Sequence, residues 1–503
     1  MGGWSRREVL AALAAAGAAP GWSALLGCGG ARPRPAPRPE PVPAETFAQL
    51  RDQLRQVAAD LGRRFRSVAV RAELGQLTRV VVEPDERAVD QRGRSSVILA
   101  GFDGASWFQE AGTDLSPDAV ARAARALAAR APAGRGARPG AAAAAARPGG
   151  ATAGRARLAI DPRDRPIGDW LARAGRLHER ATRVGGSRLV YRAACIEVDD
   201  SDVVFVGDGR DVAQRLVRTG ARVLFLAWTG SALAAEEAAG AGAVGLEGAE
   251  LAGGELERAA EGALTLLTGG RIEPGARDLL LDPSVTALLV REAARGWEGD
   301  VWARGGARAA GLEGKAGAAG EVSLRDDATA AGAFGGYSFD DEGWAASPHA
   351  LLEHGVVRGP LCDAAAAAAL RRPRTGHGRR GALGEDGVAA RSSHLVLAAG
   401  GRDRDALVAA IEGQGFLIES GVEGDGDPRS WRVAVRALRA REIERGRLTG
   451  RVYGPVVVAG QVPALLGAVR AIERSAGTYG WWRSGVASSV VAPAVVTRGW
   501  IGG

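Results

Sequence analysis

Apolar residues along this chain follow two alternating periods. Over residues 45–66 they fall at Phe47, Leu50, Leu54, Val57, Leu61 and Phe65, three or four apart, which predicts an amphipathic helix. Residues 67–72, 79–83 and 96–100 are rich in β-branched and apolar side chains and predict strands, the last running into a Phe102-Asp103-Gly104 turn. Residues 116–131 return to the helical period, with Ser116 placed to cap and Pro117 at the first helical position, where its missing N–H costs nothing. A helix over 166–184 and strands over 188–198, 202–206, 211–220 and 221–229 follow. An Ala- and Glu-rich, mostly helical stretch over 234–267, interrupted at Gly253-Gly254, closes a first body over 45–270.

The second body, 271–503, opens with a strand over 278–281 and a helix. Beyond about residue 321 it becomes short apolar segments separated by glycine, at 321–324, 350–357, 393–397, 416–419, 432–437, 442–445, 456–458 and 490–496, with helical interruptions at 405–414 and 462–475. Many short strands with turn signals predict a barrel or sandwich. The expected fold is therefore α+β: an N-terminal α/β domain followed by a β-rich, barrel-like C-terminal domain. Residues 131–156, with glycine, proline, arginine and a six-alanine run, predict a surface insertion or linker.

Composition changes this picture little. A hydrophobic fraction of 46% and a charged fraction of 24% suit a globular protein with a sizeable core. The formal charge of +7 invites a nucleic-acid reading. However, the only lysine is Lys315, asparagine is absent, and Ala, Gly, Arg and Pro abound, which points to G/C-rich codons. Arginines such as Arg64 and Arg372 form no basic cluster with interleaved aromatics, so no nucleic acid is expected as a partner.

The N-terminus has an export pattern. Arg6-Arg7 precede a mild apolar run over residues 9–26, the layout of a secretory signal of the twin-arginine type. Leu25-Leu26-Gly27-Cys28 resembles a lipobox, which would make Cys28 the lipidated first residue of the mature chain. Prolines at 33, 35, 37, 39, 41 and 43 favour extended polyproline II, a semi-rigid tether over 29–44 between anchor and body. The expected location is outside the cytoplasm, periplasmic or membrane-anchored, with the membrane touched only through the N-terminal segment 1–28.

The chemistry-bearing segment is residues 278–300. Asp282 is placed to cap a helix, Pro283 sits at its first position, and Leu288-Leu289 give it a buried stripe. The Leu-Asp-Pro-Ser approach and the Glu298-Gly299-Asp300 end resemble the motif helix of the TldD/PmbA metallopeptidases, also called modulators of DNA gyrase, which carry His-Glu-x-x-x-His between them. The resemblance continues in order through Asp326-Asp327, Phe339-Asp340-Asp341-Glu342-Gly343, residues 351–359, Arg391-Ser-Ser-His394, Gly400-Gly401, residues 413–417, Pro493 and Gly502-Gly503. It covers 271–503 well and 45–270 more loosely.

A zinc peptidase needs imidazole and thiolate ligands and a carboxylate that activates the bound water. Carried over by resemblance, the first family histidine falls on Arg291 and the family base on Glu292. The second histidine falls on Gly296, or one residue away because the chain is one residue shorter before Glu298. The third ligand, a late cysteine, falls on Trp481 in Trp481-Trp482-Arg483-Ser484-Gly485. Arginine is a permanent cation that repels a metal, and glycine and tryptophan offer no ligand. Zinc, the cofactor in the family, is therefore not expected here, and Glu292 is expected as a vestigial base paired with Arg291 or Arg295.

No replacement site stands out. His178, His349, His354, His377 and His394 read as surface or partly buried histidines, Asp340-Asp341-Glu342 as a hydrogen-bonded turn rather than a cation site, and Gly207-Asp208-Gly209 as a turn. Cys362 has no histidine partner in sequence, and Cys28, Cys195 and Cys362 make no disulfide framework. The expectation is an exported, non-catalytic homologue, either a subunit in a homo- or hetero-dimer with a TldD/PmbA paralogue or a peptide-binding partner of an active member. The alternatives are an active metallopeptidase with an unrecognised site and a lipid-tethered binding protein.

Overall fold

A computed structural model describes residues 44–130, 158–252, 254–380, 387–483 and 485–503. The signal segment with Cys28, nearly all of the proline-rich tether and the insertion at 131–156 lie outside the described residues. Among the described residues no helix is long and apolar enough to cross a membrane.

The N-terminal half is a six-stranded sheet formed by β1 (Ser67–Val82), β2 (Arg87–Phe102), β3 (Trp107–Gly112), β4 (Leu189–Gly207), β5 (Arg210–Trp228) and β6 (Leu233–Gly242). The order is β3-β2-β1-β4-β5-β6, and every pairing is antiparallel. Helices α1 (Ala44–Gly62), α2 (Pro117–Ala129), α3 (Ile167–Arg183) and α4 (Glu255–Leu266) cover one face. Leu54, Leu61 and Phe65 of the first helical segment pack with Val68, Val70, Leu99 and Val204 of the strands. Ser116 caps α2 by accepting from the Ala119 N–H, as its sequence implies.

The other face of this sheet is also covered. Strand side chains alternate between faces, so the set opposite Val204 and Val206 contains Val203 and Phe205, which meet Phe339 from the C-terminal half. Gln214 Nε2 donates to the Phe339 carbonyl at 2.9 Å and Arg218 Nε to that of Phe334 at 2.7 Å. Burial on both faces explains why segments that look like separate short strands are continuous. Leu74–Thr78, with glycine and glutamine in the run, is carried by pairing to β2 on one side and β4 on the other. The turn at Asp208-Gly209 has both residues at positive φ and joins β4 to β5.

Two helical expectations fail. Residues 233–242 form strand β6, paired along its length with β5, and only Glu255–Leu266 of the 234–267 stretch is α-helical. Helix propensity of Ala and Glu is a weak prior that tertiary pairing overrides. The acidic residues of this strand find arginines: Glu236 faces Arg439, and Glu237 is drawn toward Arg222. In the 462–475 stretch only Val462–Gly467 is helical, and a long strand begins at Ala471.

The C-terminal half contains β7 (Gly275–Leu281), β8 (Leu324–Asp326), β9 (His349–Glu353), β10 (Val356–Val357), β11 (Gly378–Arg380), β12 (Val388–Ala390), β13 (His394–Leu397), β14 (Gln414–Asp427), β15 (Arg432–Glu444), β16 (Arg447–Tyr453), β17 (Val456–Gln461), β18 (Ala471–Arg483) and β19 (Val486–Gly502). Strands β7, β14, β15, β17 and β19 follow one another, and β19 pairs back onto β7, closing a five-stranded barrel. Helix α5 (Pro283–Ala294) lies against β14, β15 and β19 within the largest apolar core. Val285, Leu288, Leu289 and Val290 are each at most 2% exposed, and burying each such side chain contributes roughly 1.5–3 kcal/mol. The mixed α+β fold with a barrel-like second half is the one the sequence pattern implies.

The two halves are joined by a buried charge cluster. Glu236 of β6 pairs with Arg439 of β15 and accepts from Ser420 Oγ, while Arg439 Nε also reaches Glu419 at 3.0 Å. Gly262 of α4 leaves the space, since a Cβ there would stand 1.8 Å from Glu236 Oε2. Burial pushes the Glu236 carboxyl up from near 4.5 to about 7 against the pull of Arg439. A raised folded value means the contribution is fully present below about pH 4.5 and is lost as pH rises through about 7. Urea unfolding should therefore show stability falling between about pH 5 and about pH 8, and Glu236→Gln should flatten that slope. An unchanged slope in the variant would assign the pH dependence to other groups.

Candidate functional site

Helix α5 begins as its sequence requires. Asp282 Oδ1 accepts from the Val285 N–H at 2.8 Å and from Ser284 Oγ at 2.7 Å, and its other oxygen accepts from Ser420 N at 3.1 Å, tying the helix start to β14. Burial raises the Asp282 carboxyl above the usual range, partly offset by these donors. The cap fixes the helix so that its last turn carries Arg291 and Glu292 between β14 and the β18–β19 hairpin.

Glu292 has no exposed side-chain area, and two arginines of its own helix and the turn after it hold it. Arg291 Nε lies 3.0 Å from Oε1, and Arg295 Nη1 lies 3.6 Å from Oε2 while also donating to the Gly426 carbonyl. Gly424 and Gly426 of β14 press against the same side chain: Cβ atoms there would stand 2.8 Å from Glu292 Cγ and 3.1 Å from Glu292 Cβ. A carboxylate this enclosed has no approach for a water it could activate.

The Arg291 guanidinium stacks on the Trp481 indole, 4.8 Å from the ring centroid, and Tyr479 stacks on Trp481 at 6.0 Å. The structure thus brings Arg291, Glu292 and Trp481 together across helix and hairpin. Gly296, in the 3₁₀ turn Arg295–Trp297, faces a residue that sequence reasoning passed over, Trp431. Trp431 Nε1 donates to the Ala293 carbonyl at 2.8 Å, and its ring meets Trp297 edge-on at 4.8 Å. Its φ of 56° is in the left-handed region, a conformation that costs a bulky residue about 1–3 kcal/mol and persists only where the surroundings impose it. The available signal was the polar, turn-rich 425–430 run before an isolated tryptophan. The acidic end of the helix is used structurally, with Glu298 and Asp300 each 3.1 Å from Arg391 Nη1.

These residues do not fit a zinc ion: neither arginine, glycine nor tryptophan supplies a ligand, and Glu292 is already paired. Among the described residues no three His, Cys, Asp or Glu side chains are grouped as a metal would require. His178, His349 and His354 are exposed or partly buried as expected, and two histidines are not. His377 and His394 are wholly or almost wholly buried, at 0% and 4% exposed. His377 Nε2 lies 3.3 Å from Asp326, and His394 Nδ1 bonds Ser489 Oγ at 2.7 Å. His349 comes within 6.2 Å of His377, ring to ring. Hydroxyl partners inside the fold, Thr375 Oγ1 at 3.0 Å from His377 Nδ1 and Ser489 Oγ for His394, override the surface or partly buried reading that the sequence suggests.

The acidic triplet is a hydrogen-bonded turn. Asp340 accepts from Glu342 N, Trp344 N and Gly378 N at 2.9–3.0 Å, and Asp341 lies 2.8 Å from Arg71 Nε. Burial raises both the Asp340 and Glu342 carboxyls, with added repulsion from Asp341 on the first and from Asp340 on the second. Cys362 is buried, which pushes its thiol up to about 11, so it is protonated and inert as a nucleophile at neutral pH.

The C-terminal half is thus a closed five-stranded barrel with the buried motif helix packed against its strands. Residues 274–500 match the PmbA/TldA metallopeptidase C-terminal domain family, so the C-terminal half of the chain belongs to that family. A metalloprotease of Methanocaldococcus jannaschii is 26% identical over 213 residues, 42% of this chain and 46% of the relative, so the match spans about half of that protein's length. The fold is also that of three solved proteins. A Bacteroides thetaiotaomicron protein described as a modulator of DNA gyrase has a TM-score of 0.73 at 15% identity, covering 92% of this chain and 100% of that one. TldE from Thermococcus kodakarensis has 0.71 at 17%, with 90% and 100% covered. A Thermotoga maritima protein described as a modulator of a DNA gyrase has 0.71 at 16%, with 91% and 100% covered.

The pairing at Glu292 predicts a stability effect. Arg291→Ala removes the nearer cation from a buried carboxylate and uncovers Trp481. It should cost about 3 kcal/mol in urea unfolding, with tryptophan emission shifted to longer wavelength. A loss below about 0.5 kcal/mol, the range of a surface substitution, would show that Arg295 alone suffices.

Proposed function

We propose that this chain is a non-catalytic member of the TldD/PmbA family that serves as a subunit, or peptide-binding partner, of a metal-bearing relative. The observation that carries this reading is the Arg291–Glu292–Trp481 assembly. At the positions that match the family's first ligand and its late cysteine, a permanent cation stacks on an indole. The carboxylate matching the family's base is fully buried and held by two arginines. A metal-activated water has neither ligands nor base here. The conserved-fold TldE neighbour supports a partner role only as a likeness of architecture. Export by the twin-arginine segment and tethering through Cys28 complete the proposal and place the subunit outside the cytoplasm.

Protein isolated from its own host should contain no stoichiometric zinc by elemental analysis and should show no chelator-sensitive cleavage of unfolded peptides. Its native mass should include a second family chain that carries the intact His-Glu-x-x-x-His motif. Stoichiometric zinc with chelator-sensitive cleavage by the isolated chain would sink the non-catalytic reading. A stable monomer with no such companion would sink the subunit reading.

A further inference from the structure

The missing ligands leave a question of space, because a site that had only lost its ligands would keep room for a metal. At position 296 that room is occupied. A Cβ on Gly296 would stand 2.3 Å from Trp431 Nε1, 2.6 Å from Cδ1 and 2.9 Å from Cε2, closer than real Cβ atoms approach. The indole cannot swing aside cheaply. It is 1% exposed, donates to the Ala293 carbonyl at 2.8 Å, packs edge-on against Trp297, and hangs from a backbone at φ 56° whose carbonyl accepts from Val462 N at 2.9 Å. The Gly296 carbonyl is held from the other side by Trp302 Nε1 at 2.7 Å. The flanking positions are no better placed: Arg295 is bound to Gly426, and Trp297 is fully buried.

We infer that Trp431 is a fourth determinant of the metal-free state: its indole fills the space a side chain at position 296 would need, so restoring the three ligand types is not enough to rebuild a metal site. The inference rests on the reading of Gly296 as a former ligand position. It deepens the proposed function by making the site closed to metal rather than merely short of ligands. No other part of the fold needs to change for this to hold, since the collision is local to two residues.

Two measurements test it. The first is a thermal-unfolding cycle with Gly296→Ala in the wild type and in a Trp431→Leu background. Gly296→Ala should lower Tm by about 5 °C in the wild type and by much less beside Trp431→Leu. Should Trp431→Leu not fold, Trp431→Phe, which lacks Nε1 and the five-membered ring, replaces it. Equal shifts in the two backgrounds overturn the inference. The second is cobalt titration of R291H/G296H/W481C with and without W431L, following the visible bands of tetrahedral nitrogen and sulfur coordination. The four-substitution protein should bind at least about tenfold tighter, the scale on which the surroundings of a metal site act. Equal affinities, or no binding by either, overturn the inference. Both readouts concern engineered variants, so their failure is distinct from finding zinc or peptidase activity in the wild-type protein, which would instead overturn the proposed function.

Discussion

A single buried carboxylate organises the C-terminal half. Glu292 sits at the end of a helix that is apolar on nearly every other face, and no part of its side chain reaches solvent. An ionised carboxylate in such a place needs positive partners within reach, because its desolvation is not otherwise repaid. Arg291 and Arg295 supply them from positions adjacent to it and one turn on. The rest of the site follows from that requirement. The Arg291 guanidinium presents a flat face that Trp481 covers, which seats the β18–β19 hairpin on the helix. The opposite wall is β14, which comes close enough only because positions 421, 424 and 426 are glycine.

The same physical rule operates at the seam between the halves, with arginine again as the buried cation. Arg218 is wholly enclosed, and burial lowers it to about 10 although Asp199 faces it. Arg71 bridges Glu73 and Asp341, and Arg439 bridges Glu236 and Glu419. Arginine suits these places because its planar, delocalised charge is weakly hydrated and offers several donors in fixed directions. A composition in which a single lysine stands among the basic residues therefore reflects codon bias at the surface and carries structural consequences inside. The excess positive charge that might suggest nucleic acid is spent in part on paired, buried positions.

Much of the fold was legible because both periods in the sequence are strong where packing is one-sided. Ser116-Pro117 and Asp282-Pro283 announced their helices, and the run of short apolar segments beyond residue 321 announced a barrel. Strand continuity was not legible. The Leu74–Thr78 and Asp199–Ser201 stretches look like breaks and become strand only because neighbours on both edges and both faces supply the hydrogen bonds and counter-charges. The 233–242 strand was hidden by residues that prefer helix in isolation. Around the site, the sequence identified Arg291, Glu292 and Trp481 by ordered resemblance, and the structure brings them into contact. Trp431 carried no motif, since its importance lies in a left-handed backbone and a collision with a missing Cβ, neither of which a sequence displays.

A site that loses its ligands by drift has a predictable physical cost: a buried base without its cation and a void where imidazole and thiolate had been. Each would destabilise the domain, the first by an unpaired charge and the second by lost contacts around a cavity. Neither is found around Glu292. The positive charge is kept within reach of the carboxylate by Arg291, and the volume is taken up by Trp481 on one side and Trp431 on the other. Together Arg291, Trp481 and Trp431 keep the helix, the hairpin and β14 in mutual contact. What these side chains hold in place is therefore the packing of the helix, the hairpin and β14. Under the proposed non-catalytic role, that packing is what a partner or a bound peptide would require of this chain.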